Sequence, residues 1–466
     1  MSGLTAKIET RAKLQRIGAK QKRVLSSAEA VMQSVGAKFL IIGINAATGI
    51  ITARLLRPAG RGELAAMILW PVFLASALTL GVPSALTFQL RRNPGKKSEL
   101  LGAALVLALV TSGVAMLFGM LFMRSWIPQY PARTVLFARL FLISAPLTSL
   151  LLVGRAALEC RGDFGASNKL LIWSPAMTLL WLTVLMATHS VTPYSAALAY
   201  VPVGLASLLW MLHRLWHMFR PSLASFWNSS NLLFSYGIRS YGIDLCGTMA
   251  LYVDQALVVR VLSPRMMGTY VVALSLSRML NAFHTSVIMV LFPKAVSESP
   301  EVVREMSSRA ARMSTTLTAL AGIGIVCVGP QVLALLYGAE YRGAILVLRL
   351  LVVEVVLSGM TLVLSQAFMA LERPGVITAL QVTGLSLTVP LILILVPRFG
   401  VTGAALALLL STGVRLTFVL ASFPIFLKMP APNVLPNSED LKFMANAIAK
   451  RLTRQRLRPL AFEGAD

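Results

Sequence analysis

From Leu100 to Met123 the chain carries no charged side chain. As a helix rising 1.5 Å per residue this run extends about 36 Å, more than the roughly 30 Å thickness of a hydrocarbon slab. A similar stretch runs from Thr388 to Val396 and on through Ala404 to Leu427, with only Arg398 and Arg415 charged. Membrane barrel strands would be shorter and would alternate polar with apolar residues, which these do not. With 56% hydrophobic and 13% charged residues, the chain has more apolar surface than one soluble core of this length conceals. Twelve spans are expected, near residues 36–56, 64–86, 100–123, 135–156, 170–188, 195–212, 236–260, 268–292, 314–337, 343–366, 375–397 and 401–427.

The formal charge of +25 raises the question of nucleic acid, but the basic residues lie between apolar runs and do not form one folded face. Their distribution reads as topology. Of the 43 Lys and Arg residues, thirty fall on the side of the N-terminus, eight in loops on the other side and five inside spans. The positive-inside rule then puts both termini in the cytoplasm, for a protein of the bacterial inner membrane. The basic stretch 1–35 lacks a small-residue cleavage site before Phe39 and reads as a cytoplasmic tail; a second basic tail covers 428–466. Both are expected to lie along anionic lipid headgroups. Cys160, Cys246 and Cys327 are isolated, which indicates neither disulfides nor a metal site.

An internal repeat organises the spans. Arg54-Leu-Leu56-Arg-Pro58-Ala-Gly-Arg-Gly62 and Arg260-Val-Leu262-Ser-Pro264-Arg-Met-Met-Gly268 share the pattern R-x-L-x-P-x-x-x-G, 206 residues apart. Tyr130 with Arg139-Leu140 corresponds to Tyr341 with Arg349-Leu350, and Ala157-Leu158-Glu159 with Gly162 to Ala370-Leu371-Glu372 with Gly375. The matches keep their order along the chain and occupy equivalent places in the span map. The expected fold is an all-α polytopic membrane protein: a six-helix lobe at 36–212, a cytoplasmic linker at 213–235 and a second six-helix lobe at 236–427. Six spans per repeat give both lobes the same orientation, so their pseudo-two-fold axis runs along the membrane normal.

Charge at the centre of a span costs about 2.5–3.5 kcal/mol on insertion scales, so it faces a cavity or a partner. Arg54, Arg139 and Arg260 lie near span ends and can snorkel. Arg278 and Arg415 lie near mid-span. Ser275, Arg278, Asn281 and Thr285 follow helical spacing, as do Ser411, Arg415 and Ser422, so these two arginines either line a cavity or pair with Asp254 or Glu354. Asp244 and Asp254 are further candidates for ion pairing or ion coupling. Asn45, Thr48 and Thr52 make a milder polar stripe, and His284 stands alone. The chain has no G-x-x-x-x-G-K-[ST] and no paired carboxylates or DxD in a long loop, so neither ATP hydrolysis, a cofactor nor glycosyl transfer is expected.

The first-span ending Ala53-Arg54-Leu-Leu-Arg-Pro58 with Gly62 resembles the Wzx-type polysaccharide exporters of the multidrug/oligosaccharidyl-lipid/polysaccharide exporter superfamily. So do Asp254 with Leu262, Pro264, Gly268 and Tyr270, and Leu336-Tyr337-Gly338-Ala-Glu340-Tyr341 leading to Leu348-Arg349. The resemblance implies a V-shaped pair of lobes that alternates access and moves an undecaprenyl-diphosphate-linked oligosaccharide outward, in concert with polysaccharide polymerase machinery. The cationic in-span residues Arg278, Arg415, Arg139 and Arg349, with Asn45 and Asn281, are the headgroup candidates, because guanidinium suits a diphosphate. A multidrug exporter or lipid II flippase of the same superfamily is the alternative, ahead of a polymerase or glycosyltransferase.

Overall fold

The computed structural model describes residues 2–296 and 298–434, with the side chains of 2–35, 37, 243, 290 and 293 outside the description. The side chains of the basic residues in 1–35, and the basic residues of the second tail after Lys428, therefore lie outside the description. The chain is helical throughout the described part: α1 (Ser2–Ala77), α2 (Val82–Arg92), α3 (Lys97–Trp126), α4 (Ala132–Phe141), α5 (Ser144–Cys160), α6 (Phe164–Ala187), α7 (Pro193–Leu198) and α8 (Tyr200–Phe219) precede α9 (Phe226–Val261). Then come α10 (Pro264–Arg278), α11 (Asn281–Ala295), α12 (Pro300–Val332), α13 (Ile345–Ala370) and α14 (Pro374–Phe426). Only 220–225 lies outside helix between α8 and α9, within the stretch expected to be a linker.

By length and apolarity, nine helical segments among the described residues can cross a membrane, or ten when the bent pair Phe226–Gly242 and Asp244–Val261 is counted. This is a multi-pass membrane protein. Two of the nine are interrupted. α1 carries a non-helical residue at Arg57 (φ 58°), directly before Pro58, and α14, at 53 residues, carries one at Gly400 (φ 57°). A 53-residue helix would be about 80 Å long, far beyond one bilayer crossing, so Gly400 separates two crossings. If Arg57 does the same, the count reaches the expected twelve.

Lipid is the solvent of the outer surface. On α3, Leu109, Val110, Val114, Leu117, Phe118 and Leu121 are exposed, while Ala104, Ala108, Ser112, Ala115 and Gly119 are buried at helical spacing on the other face.

Hydrogen bonds sort the loops onto two sides. Arg161 donates to the Met218 carbonyl (3.2 Å) and Arg214 pairs with Asp163 (2.7 Å), which joins the ends of α5 and α8; Ser308 donates to the Asn433 carbonyl (2.7 Å), which joins the start of α12 to the chain after α14; we call the side of these ends the tail side. On the far side Gln129 donates to Val261 (3.2 Å) and Arg54 to Leu335 (3.2 Å). The core follows the same division. One buried cluster runs from Ala53, Met67 and Trp70 in the first lobe to Tyr270, Leu351 and Val396 in the second. Of two further clusters, one around Leu86, Leu101 and Met211 is built mainly on the first lobe and takes in Leu233 of α9, with Phe226 and Tyr236 packed against it; the other, around Val303, Phe368 and Phe423, stays within the second lobe. The lobes therefore share the larger apolar core on the far side, and on the tail side only the start of α9 joins the smaller core of the first lobe.

The repeat glycines explain how the far side closes. A Cβ on Gly62 would overlap the carbonyl of Pro264 and crowd the amide of Gly268; a Cβ on Gly268 would overlap the carbonyl of Pro58 and crowd the amide of Gly62. The contact is reciprocal, and both partner pairs are 206 residues apart (264 − 58 and 268 − 62). A self-complementary contact of this kind is the signature of a two-fold axis, which passes between the two copies of the motif. Glycine is required there because backbone meets backbone.

Candidate functional site

Between the lobes lies a cavity of about 330 Å³ lined by Asn45, Thr48, Arg61, Tyr200, Ser275, Arg278 and Tyr337, with small and apolar residues between them. α1 contributes Asn45 and Thr48 before its interruption and Arg61 after it, and the second lobe contributes α10 and the segment after α12. Two arginines and no carboxylate are among the lining residues.

Arg278 is the last residue of α10, and α11 begins at Asn281. The join is a tight turn: Leu280 N–H bonds Ser277 O, Ala282 N–H bonds Met279 O and Phe283 N–H bonds Leu280 O, each three residues back. The span is thus broken next to Arg278, and a guanidinium at the C-terminal end of a half-helix sits favourably in its dipole. Breaks of this kind at membrane depth are tolerated where backbone lines a cavity. Nη2 of Arg278 donates to Oδ2 of Asp254 (3.1 Å) and Nη1 to the Leu251 carbonyl (3.4 Å). Tyr270 donates to the same carboxylate oxygen (2.9 Å), and Asp254 is 2% exposed, behind the cavity wall. Its pairing with Arg278 therefore orients the guanidinium while a third of that side chain stays accessible. The second cation, Arg61, has a buried Nε without a hydrogen-bond partner.

The other sequence candidates fall in different places. Asn45 joins Arg278 in the cavity. Asn281 lies beyond the turn, which ends the continuous helical face assumed from Ser275 to Thr285. Arg415 packs its aliphatic stem against Gly384, and Glu354, which accepts from Thr412 (2.8 Å), is near enough to feel the charges of Arg415, Arg278 and Asp254. These residues form a polar core inside the second lobe. Arg139 is half-buried with an unpartnered Nε, Arg349 is exposed, and neither lines the cavity. Asp244 accepts from Ser84 across the tail side (2.8 Å). His284 bonds Ser314 (2.7 Å) and abuts Gly359 with the Nε2 end of its ring, packed within the second lobe. No cluster of His, Cys, Asp or Glu suited to a metal occurs among the described residues.

Arg61, Tyr200 and Tyr337 were not read as site residues from the sequence. Arg61 looks like a loop residue, but Pro58 is a helix-starting residue, and three positions after it Arg61 faces inward in the first turn of the resumed helix. Glu63, also unanticipated, accepts from Thr134 (3.0 Å) and Tyr194 (3.3 Å) and ties α1 to α4 and α7 within the first lobe.

Two lobes about a pseudo-two-fold axis, enclosing a polar cavity in the membrane, define a transporter-like fold. Solved structures share it: the lipid II flippase MurJ in an inward closed conformation (14% identity, 90% of this chain and 91% of that one, TM-score 0.73), and an inward-facing multidrug resistance MATE family transporter (16%, 83% and 96%, 0.66). The chain belongs to the family described as polysaccharide biosynthesis protein, whose model matches residues 51–346. Among curated proteins it is 26% identical over 195 residues to the probable low-salt glycan biosynthesis flippase Agl15 of Haloferax volcanii. That alignment spans 41% of this chain and 41% of the relative.

Proposed function

We propose that the protein is a carrier, not an enzyme, that moves a lipid-linked oligosaccharide on undecaprenyl diphosphate across the bacterial inner membrane, with the tail side in the cytoplasm. The observation that carries this reading is the cavity wall, where Arg61 and Arg278 come from different lobes and no lining carboxylate opposes them. Guanidinium groups converging from two lobes suit an anionic headgroup, which they can grip in a bidentate way. A drug-cation exporter would present a free carboxylate, whereas Asp254 is already engaged by Arg278 and Tyr270. The family and the partial match to a glycan flippase support the same cargo class.

About 330 Å³ is at the small end of ligand cavities, enough for a headgroup and too little for an oligosaccharide. The tail-side seam must therefore open to admit cargo, and the far-side seam to release it. The test is export of lipid-linked oligosaccharide, with membrane abundance measured alongside. Arg61→Ala should lose export at normal abundance, since Arg61 has no ion pair to break among the described residues. Arg278→Lys should keep charge, lose the fork and retain partial export. Full export by both variants would refute the headgroup role.

A further inference from the structure

A second pocket, of about 650 Å³, opens at the tail side of the seam between α2 and α9 and shares no residue with the central cavity. Its wall is Ser84, Thr87, Phe88, Arg91, Arg92 and Tyr236. Arg91 and Arg92 close α2, where the helix dipole favours cations, and neither forms an ion pair among the described residues. Phe88 of the first lobe stacks on Tyr236 of the second, centroids 4.2 Å apart at 10°, and the Arg92 guanidinium stands 5.8 Å over the Phe88 ring. The local acid, Asp244, is engaged by Ser84. Gln89 bridges to the Leu232 carbonyl (3.3 Å) and fixes the pocket's depth against α9.

We propose that this pocket binds the phosphate of a membrane lipid. Two free guanidinium groups supply the anion-binding fork, and arginine over an aromatic ring is suited to the headgroup zone, where one end of a side chain is wet and the other apolar. The neighbouring surface offers an apolar contact to an acyl chain: Leu232, one turn before Tyr236 and about 40° around α9 from it, is exposed, whereas Trp227, Phe234 and Ile238 stand on the opposite face of the helix. The wall draws on both lobes, so a lipid seated there bridges the seam that has to part when the tail side opens. The pocket is independent of the cargo assigned to the central cavity.

Two lipids carry the required chemistry, an anionic phospholipid and a polyprenyl diphosphate; only the second arm rests on the proposed function. The experiment is native mass spectrometry of the full-length protein, titrated separately with phosphatidylglycerol and with undecaprenyl diphosphate on a phosphatidylcholine background. Each arginine near an anionic headgroup contributes about fivefold, so Arg91→Gln/Arg92→Gln should weaken the tightest-bound lipid about thirtyfold. Lys96→Gln/Lys97→Gln removes the same charge from adjoining positions outside the pocket, exposed at Lys96 and half-buried at Lys97, and should change it less than threefold. Arg91→Lys/Arg92→Lys, which keeps charge and protects against a misfolded variant, should fall between. Saturable binding in either arm identifies the source and supports the site. Equal losses from the arginine and lysine pairs, no loss from the arginine pair, or no saturable binding of either lipid would overturn it.

Discussion

Alanine at Gly62 should push the far side open. The added Cβ meets the Pro264 carbonyl and the Gly268 backbone, neither of which can rotate away as a side chain would. Relief comes only by separating the two copies of the repeat motif. Overpacking of a tight contact costs about 1–3 kcal/mol, which shifts a two-state equilibrium about 5- to 150-fold away from the far-closed state. Gly268→Ala should do the same, because the contact is reciprocal. The pair should cost less than the sum, since the second Cβ enters a seam already parted. A short bifunctional thiol reagent reads the population: Arg57 and Glu340, whose side-chain tips meet at 3.7 Å across the seam, replaced by cysteine in a protein cleared of Cys160, Cys246 and Cys327. The ion pair sacrificed is largely exposed and contributes little, and it is absent from every sample compared. Gly43→Ala is the control for helix propensity, since a Cβ there meets nothing within 4 Å. Crosslinking should slow in both seam variants and not in the control. Wild-type crosslinking in Gly62→Ala would refute the backbone contact and, with it, the placement of the symmetry axis.

Asp254→Ala should lower membrane abundance, because breaking a buried pair costs about 3–5 kcal/mol, reduced here by the partial exposure of Arg278; Asp254→Ala/Arg278→Ala should recover abundance without export, and recovered export would make the pair purely structural. Tyr270→Phe removes one of two donors to Asp254 and should lower thermal stability by about 1 kcal/mol, read as a melting shift in detergent. Gly359→Ala should be strongly destabilising, since its Cβ would overlap the His284 ring, and His284→Ala in the same chain should restore part of the loss; an unaffected melting temperature for Gly359→Ala would contradict the packing. Reporter fusions after Gly95 and Gly162 should read cytoplasmic and those after Gln129 and Ala339 periplasmic, and the reverse pattern would overturn the orientation.

The fold was legible because lipid imposes a coarse rule. Apolar run length locates crossings, and the R-x-L-x-P-x-x-x-G repeat announces a symmetric pair before any contact is known. The repeat glycines were readable as matching positions but not as partners, since sequence does not say which copies of a motif touch. The site was half legible. Arg278 and Asn45 stood out because charge and amide inside a span demand a partner or a cavity. Asn281 was grouped with Arg278 by assuming an unbroken helical period, and the turn at Met279–Leu280 removes that premise. Arg61 was hidden by the opposite error, a loop assumed where Pro58 restarts a helix. Arg415 shows why spacing alone cannot assign a role: the same stripe of Ser411, Arg415 and Ser422 that could line a cavity is turned toward Gly384 and Glu354.

The two seams differ in kind, and the difference bears on how a carrier of this form would work. The tail-side seam is a set of separable contacts: Ser84 to Asp244, Gln89 to the Leu232 carbonyl, Tyr241 to the Ala77 carbonyl, the Phe88–Tyr236 stack and the approach of Gly81 to Gly237. Gly81 and Gly237 are not repeat equivalents, so this seam lacks the reciprocity of the other. The far-side seam adds to its polar links, Arg54 to Leu335 and Tyr341 to the Ala53 carbonyl, a buried apolar cluster shared by both lobes. Each polar link contributes about 0.5–1.5 kcal/mol net, so opening the tail side costs a few kcal/mol plus whatever part of the Leu233 contact must give, and opening the far side costs its own links plus the parting of a larger packed core. The empty carrier should therefore rest with its far side closed and sample a tail-open state first. A ligand moves such an equilibrium only by binding one state more tightly, about 5.5 kcal/mol for a shift from 1:99 to 99:1. Arg61 and Arg278 stand on opposite lobes, and an anion held between them draws the lobes together around the cavity. That closes the tail side behind the cargo, and far-side opening must then be driven by something that weakens the shared core or by cargo contacts available only when it has parted.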